Sequence, residues 1–204
     1  MNGSLKALVK EIRACRLCRE TTEAAPLPHE PNPVVQISAS ARILIAGQAP
    51  GTRVHASGRP FTDPSGDRLR SWMGVDEAVF YDASKIAIVP MGFCFPGLDA
   101  KGGDLPPRKE CAPRWRYQLM EHLSNVGLIL LIGQYAQAWH LGPARGKSLT
   151  ATVQNWRDYA EKFSPPILVL PHPSWRNNKW LKVNPWFANE ILPHLQRQVK
   201  ELLS

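Results

Sequence analysis

Four short apolar runs, at residues 42–46, 86–90, 127–133 and Ile167–Leu170, alternate with stretches of helical periodicity, which restricts the chain to few architectures. Brief apolar runs bounded by glycine, proline or charge suit strands buried on both faces. Such strands belong in a parallel sheet, where each crossover passes through a helix and turns right-handed. Helical spacing covers Leu5–Arg13 through Leu5, Leu8, Val9 and Ile12, and recurs around 68–73, 108–123, 134–140, 150–163 and 186–202. Ser65 is positioned to cap the helix around 68–73. The expected fold is α/β: a three-layer α/β/α sandwich with a four-stranded parallel sheet, formed as one domain over residues 1–204. The run 127–133 is the most apolar and is expected at the centre.

With 204 residues, 44% of them hydrophobic and 21% charged, the chain can bury one sizeable core. The longest apolar stretch, 126–132, is too short to cross a bilayer, so no membrane partner is expected. The amino terminus lacks a secretory pattern, which makes the cytoplasm the expected compartment. A monomer is the expected state. A formal charge of +8 suits a nucleic-acid partner, because neutralising phosphates supplies much of non-specific affinity. The proline-rich stretch 21–36 reads as an extended surface loop.

Two segments stand at strand exits. Gly47-Gln48-Ala49-Pro50-Gly51 follows the first run, with Phe61 ten residues on in Gly58-Arg59-Pro60-Phe61-Thr62-Asp63. His172-Pro173-Ser174-Trp175-Arg176-Asn177 follows the fourth. Ligands of open parallel sheets bind beyond the carboxyl ends of the strands, so Gly47, Met91, Gly133 and His172 should face one cleft. Taken singly, Phe61 suits a core aromatic, His172 a loop histidine, and Asp63 before Pro64 a turn. Arg53, Arg59, Arg68, Arg70, Arg176 and Lys179 surround these segments and could meet phosphates. The glycine-bearing stretch 97–103 lacks the spacing and hydroxyl residue of a nucleotide-binding loop.

Cys15 and Cys18 form a C-x-x-C pair after the first helix, while Cys94 and Cys111 stand apart. In a cytoplasmic chain such cysteines favour metal over disulfides. The spacing fits an iron–sulfur cluster with four thiolates and leaves tetrahedral zinc open, although a second close pair is missing.

Together these motifs resemble the uracil-DNA glycosylase superfamily, most closely its iron–sulfur families four and five. The likeness lies in Gly47–Gly51, in Gly58–Thr62 with Ser65-Gly66-Asp67, in His172-Pro173-Ser174 with Asn177, and in the cysteine order, and it runs from Cys15 to Asn177. It implies a monofunctional glycosylase that hydrolyses the N-glycosidic bond of uracil, or of other deaminated bases, in DNA. It also implies a 4Fe-4S cluster on Cys15, Cys18, Cys94 and Cys111. By the same resemblance the backbone at Gly47, Gln48 and Ala49 would meet the edge of a flipped base while Phe61 stacks on its face. His172 would donate to the base oxygen that gains charge, Asp63 would act on water or the sugar, and Ser174 and Asn177 would support the substrate. Trp175 or Arg176 would wedge into the DNA.

The chain departs from the family in three ways. Gln48 stands where family four has glutamate, and Val54-His55 replaces an acidic pair, which makes His55 a rival to Asp63 as the base. The asparagine that reads uracil at the second strand exit is replaced near Pro90-Met91-Gly92, so tolerance of hypoxanthine or xanthine is expected. Two readings without glycosylase chemistry also stay open: a non-catalytic module that binds damaged nucleic acid, and an iron–sulfur redox sensor on the same fold.

Overall fold

A computed structural model describes residues 4–20 and 25–204, so residues 21–24 of the proline-rich stretch lie outside the described residues. Helix α1 (Leu5–Arg13) starts where Ser4 accepts a hydrogen bond from the Ala7 amide, and it turns Leu8 and Ile12 into the core. A short α2 (Leu17–Glu20) carries Cys18. Strand β1 (Ile43–Ala46) then enters the interior, followed by α3 (Thr52–Ser57), α4 (Pro64–Met73), α5 (Glu77–Phe80) and strand β2 (Ile86–Ile88). Helix α6 (Cys111–Met120), strand β3 (Leu128–Ile132), α7 (Gln134–Leu141), α8 (Leu149–Gln154) and α9 (Trp156–Lys162) lead to strand β4 (Ile167–Leu170). The chain closes with α10 (Asn178–Val183), a π-helical turn at Phe187–Ile191 and α11 (Leu192–Leu203).

The sheet order is β2-β1-β3-β4, and every pairing is parallel. Every residue of the four strands is buried, so the sheet is covered on both faces as its unbroken apolar runs require. Fully burying one such side chain contributes roughly 1.5–3 kcal/mol, so this sheet dominates the core. Helix α7 packs on β3, and α8 and α9 pack on β4. The chain leaves β1 toward β2 and then returns to the other side of β1 at β3. That reversal opens a crevice at the carboxyl ends of the central strands. No helix among the described residues is long and apolar enough to cross a membrane.

Several boundaries differ from those the sequence suggests. Asp63, not Ser65, caps α4: its carboxylate accepts the Gly66 amide at 3.2 Å, and the Ser65 hydroxyl donates to the same carboxylate. Helix α3 has no side-chain cap and buries only Val54, so it carries no apolar period to read. The stretch 150–163 forms two helices that break at Asn155, where ψ is 16°. The stretch 186–202 begins with the π-helical turn because Pro193, at the head of α11, lacks the amide that would close an ordinary turn.

Candidate active site

A cavity of about 530 Å³, counting its open mouth, lies beyond the ends of β1, β2 and β4. Its wall includes Gly47, Gln48, Ala49, Pro50 and Gly51 after β1, Ile88 and Pro90 at the end of β2, and His172 after β4. Phe61, Asp63 and Ser65 close one side and Asp104 stands on another. Six residues singled out in the sequence (Gly47, Gln48, Ala49, Phe61, Asp63 and His172) therefore meet around one space. Met91 and Gly133 stand behind the wall. At Gly133 φ is 78°, and an added Cβ would lie 3.5 Å from that of His172, so the β3 exit turns close against the histidine.

Phe61 is the one non-glycine residue with positive φ among the described residues, at 55°. An aromatic residue there stores about 1–3 kcal/mol of strain, which the surroundings must offset. The Tyr81 hydroxyl lies 2.9 Å from the Pro60 carbonyl oxygen and 3.0 Å from that of Phe61, placed to donate to either. The Arg59 guanidinium sits 3.4 Å over the Tyr81 ring and pairs with Glu77 at 2.9 Å. The Phe61 ring meets Phe80 edge-on at 6.0 Å. Gly66 is obligatory beneath it, since a Cβ there would lie 1.9 Å from the Phe61 carbonyl oxygen. The turn thus presents the ring beside Gly47, whose added Cβ would be 3.6 Å from the ring tip.

His172 is held from behind. The Ser174 amide donates to Nδ1 at 3.3 Å, and the Asn177 side-chain amide donates to the His172 carbonyl at 2.7 Å. Arg68 reaches from α4 to donate to the Ser174 carbonyl at 3.1 Å and to Asn178 at 2.8 Å. Burial pushes the His172 pKa down, and the nearby Asp63 carboxylate opposes that in part. A neutral ring that accepts at Nδ1 carries its proton on Nε2, so His172 is a neutral donor.

Ser174 and Asn177 therefore support the histidine from outside the cavity wall. Trp175 is 73% exposed, and the Arg176 guanidinium lies 5.8 Å from its ring, so both stand at the surface beside the site. His55 is not part of this cavity. Its ring lies 4.1 Å from His29 and 5.9 Å from Phe95, and burial lowers its pKa, with His29 adding to the effect. Arg59, Arg68 and Arg70 are occupied by internal contacts, while Arg53 and Lys179 are exposed.

Asp104 was not singled out in the sequence. The signal lay in its position: a carboxylate in the loop that follows another strand exit. Residues 97–105 form a tight hairpin rather than a phosphate loop, bridged between Leu98 and Asp104 and pinned where Gln48 donates to the Leu105 carbonyl at 3.3 Å. Both carboxylate oxygens of Asp104 lie within 3.9 Å of the place a Gly51 Cβ would occupy. Partial burial at the cavity edge raises its pKa, while Arg176 opposes and Asp63 and Asp99 reinforce the shift.

A second, smaller cavity has about 400 Å³ of open space and is lined by all four cysteines together with Ile12, Phe93, Trp115 and Arg108. The Phe93 amide donates to Sγ of Cys111 at 3.4 Å. Burial pushes the Cys94 thiol up to about 12 and raises Cys18 and Cys111 as well. As they are placed, no three His, Cys, Asp or Glu side chains among the described residues could hold a single metal ion.

Comparison with known proteins adds two findings. A solution NMR structure from Methanosarcina acetivorans, provisionally assigned as a uracil DNA glycosylase, is 14% identical with a TM-score of 0.46. The match covers 83% of this chain and 96% of that one. The family model for the uracil DNA glycosylase superfamily matches residues 34–196, a span that holds the whole cavity wall just described. The chain belongs to the uracil DNA glycosylase superfamily.

Proposed function

We propose that the protein is a monofunctional DNA glycosylase that hydrolyses the N-glycosidic bond of uracil and other deaminated bases in DNA. The observation that carries this reading is the neutral Nε2 donor of His172 on the cavity that Phe61 and Asp63 also line. A base flipped from the duplex would stack on Phe61 and meet the backbone at Gly47, Gln48 and Ala49. As the glycosidic bond lengthens, charge gathers on a base oxygen, and a fixed donor in a partly dry site stabilises it. Asp63 supplies negative charge near the sugar, which develops cationic character. Trp175 and Arg176 would enter the DNA beside the flipped base, and Arg53 and Lys179 would meet phosphates.

Breadth of substrate is supported by what lines the β2 end of the cavity. Ile88 and Pro90 stand there, and Gln48, the one amide side chain on the wall among the described residues, is already donating to the Leu105 carbonyl. A site without a fixed partner for one pyrimidine edge discriminates weakly against other bases.

The four-cysteine cavity fits a 4Fe-4S cluster better than zinc. A cubane holds its thiolates at outward corners, more widely spaced than one ion requires, and the apolar lining and Phe93 amide suit buried sulfur. Cys15, Cys18, Cys94 and Cys111 would hold it, and it would supply a crosslink between the α1–α2 arm and the start of α6.

The test is direct. Oligonucleotides carrying one uracil, hypoxanthine or xanthine are incubated with the purified protein, and abasic sites are then cut with alkali. Product from uracil and at least one deaminated purine is expected; no product from any of them overturns the reading.

A further inference from the structure

We propose that Asp104 is the general base that takes the proton from the attacking water, leaving Asp63 as a fixed negative charge beside the sugar. This assignment rests on the glycosylase reading and divides its two carboxylates by their surroundings. Asp63 is anchored to the protein through one oxygen: it caps α4, and its Oδ1 accepts both the Gly66 amide and the Ser65 hydroxyl. Those bonds fix the carboxylate in place beside the Phe61 turn, where its charge acts without the group having to move. Asp104 has the opposite environment. No donor among the described residues hydrogen-bonds its carboxylate, although both oxygens lie against Gly51 on the cavity wall.

Its position suits water as well. Asp104 keeps an exposed surface at the mouth of the cavity, whereas Gly47, Ile88 and Pro90 are buried at the strand ends. The charged groups that face it are Arg176, Asp63 and Asp99, with His172 on the same wall. Partial burial, with Asp63 and Asp99 adding to it and Arg176 opposing, raises its proton affinity from the ordinary carboxylate value, the direction that strengthens a base. The hairpin fixes its direction. The Asp99 carboxylate accepts the Lys101 and Gly103 amides at 2.8 Å each, and the Asp99 amide donates to the Gly103 carbonyl at 2.7 Å.

The step balances without a further reagent. A lone pair of the water oxygen forms the bond to C1′ as the C1′–N bond breaks and its electron pair leaves with the base. The water proton passes to Asp104, and the base anion, held by the His172 N–H, later takes a proton from solvent. The products are the free base and an abasic sugar.

The experiment compares single-turnover excision of uracil by wild type, Asp104→Asn and Asp63→Asn across pH, alongside binding of two uncleavable duplexes. One duplex carries 2′-fluoro-deoxyuridine and the other a cationic abasic-site analogue. Asp104→Asn should lower the excision rate about 10²–10³-fold while binding to the fluoro duplex stays within about twofold. The acidic limb of the wild-type profile should vanish in Asp104→Asn, whose residual rate climbs with hydroxide. Asp63→Asn should keep that limb and lose affinity for the cationic analogue. An active wild type whose Asp104→Asn variant keeps the rate or the acidic limb overturns the assignment alone. An inactive wild type overturns the glycosylase reading and this assignment with it.

Discussion

The Ser174 amide donates to Nδ1 of His172 at 3.3 Å, and that one bond decides which nitrogen of the ring carries the proton. Burial lowers the His172 pKa, so the ring stays neutral to lower pH than a free imidazole and keeps Nε2–H as a donor. Replacing the donor with His172→Ala should cost about 2.7–4 kcal/mol of transition-state stabilisation, some 10²–10³ in rate. His172→Gln, which retains an amide donor, should recover part of the loss. Any step that this histidine gives the wild-type rate should fall at lower pH than a free imidazole would place it, and single-turnover rates on a uracil oligonucleotide check all three expectations.

Support for that ring extends to α4. Arg68 donates to the Ser174 carbonyl and to Asn178, tying the loop that holds His172 to the helix capped by Asp63. Arg68→Ala should leave the fold intact but loosen the loop, lowering the rate about tenfold without abolishing it. Arg68→Lys should rescue only partly, because a single ammonium cannot reproduce the fork. The ratio of rates for the two variants is the measurement. Equal rates for wild type and Arg68→Ala would show that the loop holds its place without this link.

Gly66 and Phe61 make the sharpest steric prediction. An alanine Cβ at position 66 would lie 1.9 Å from the Phe61 carbonyl oxygen, and backbone cannot yield as a flexible side chain can. Gly66→Ala should therefore destabilise by about 2–3 kcal/mol, as overpacking does, or displace the Phe61 turn from the cavity. Thermal unfolding detects the first outcome and lost binding of uracil-containing DNA the second. A variant with wild-type stability and binding would mean that the turn is not held as described.

How much of this was legible in the residues depended on the kind of signal. The strands could be read because unbroken apolar runs such as Ile167–Leu170 have few other uses, and the edges missed by one or two residues. Leu5–Arg13 matched because its period and cap agree. Helix α3 was invisible because it buries one side chain, and the break at Asn155 because a residue serving two helices looks helical from either side. In the site, the glycine-bearing loop and the His172 segment announced themselves by motif. Asp104 did not, because its role depends on a hairpin that folds back from the end of β2. His55 pointed the other way: its place at the family's acidic pair suggested the cavity, but one turn of α3 carries the ring toward His29.

The cysteine cavity yields a prediction about metal. Protein purified without oxygen should carry about four irons per chain and a broad visible absorption. Cys111→Ser should lose most of the iron and lower the melting temperature, because ligation joins α6 to the arm bearing Cys15 and Cys18. Iron analysis and thermal unfolding of the two proteins are the checks. Full retention of iron by Cys111→Ser would remove Cys111 from the ligand set.

Away from the cavity, buried Arg116 and half-buried His140 give the fold a sensitivity to acid. Nε of Arg116 donates to Nε2 of His140 at 2.9 Å, and Nη1 donates to the Val89 carbonyl at 2.8 Å, just before the Pro90 that lines the site. Since His140 must accept at Nε2, protonating that nitrogen would set two donors against each other. Burial, with the guanidinium adding to it, lowers the His140 pKa to about 3. The unfolded chain takes up this proton near pH 6.5, whereas the folded chain refuses it until about pH 3. Stability is therefore fully present above the unfolded value and lost as the pH falls through that window, by up to about 1.4 kcal/mol per pH unit from this group. Denaturant unfolding at several pH values from 7 to 4 measures the slope, which His140→Gln should flatten by one proton while its side-chain oxygen still accepts from Arg116. An unchanged slope in His140→Gln would assign the acid sensitivity to other groups, such as the half-buried His172.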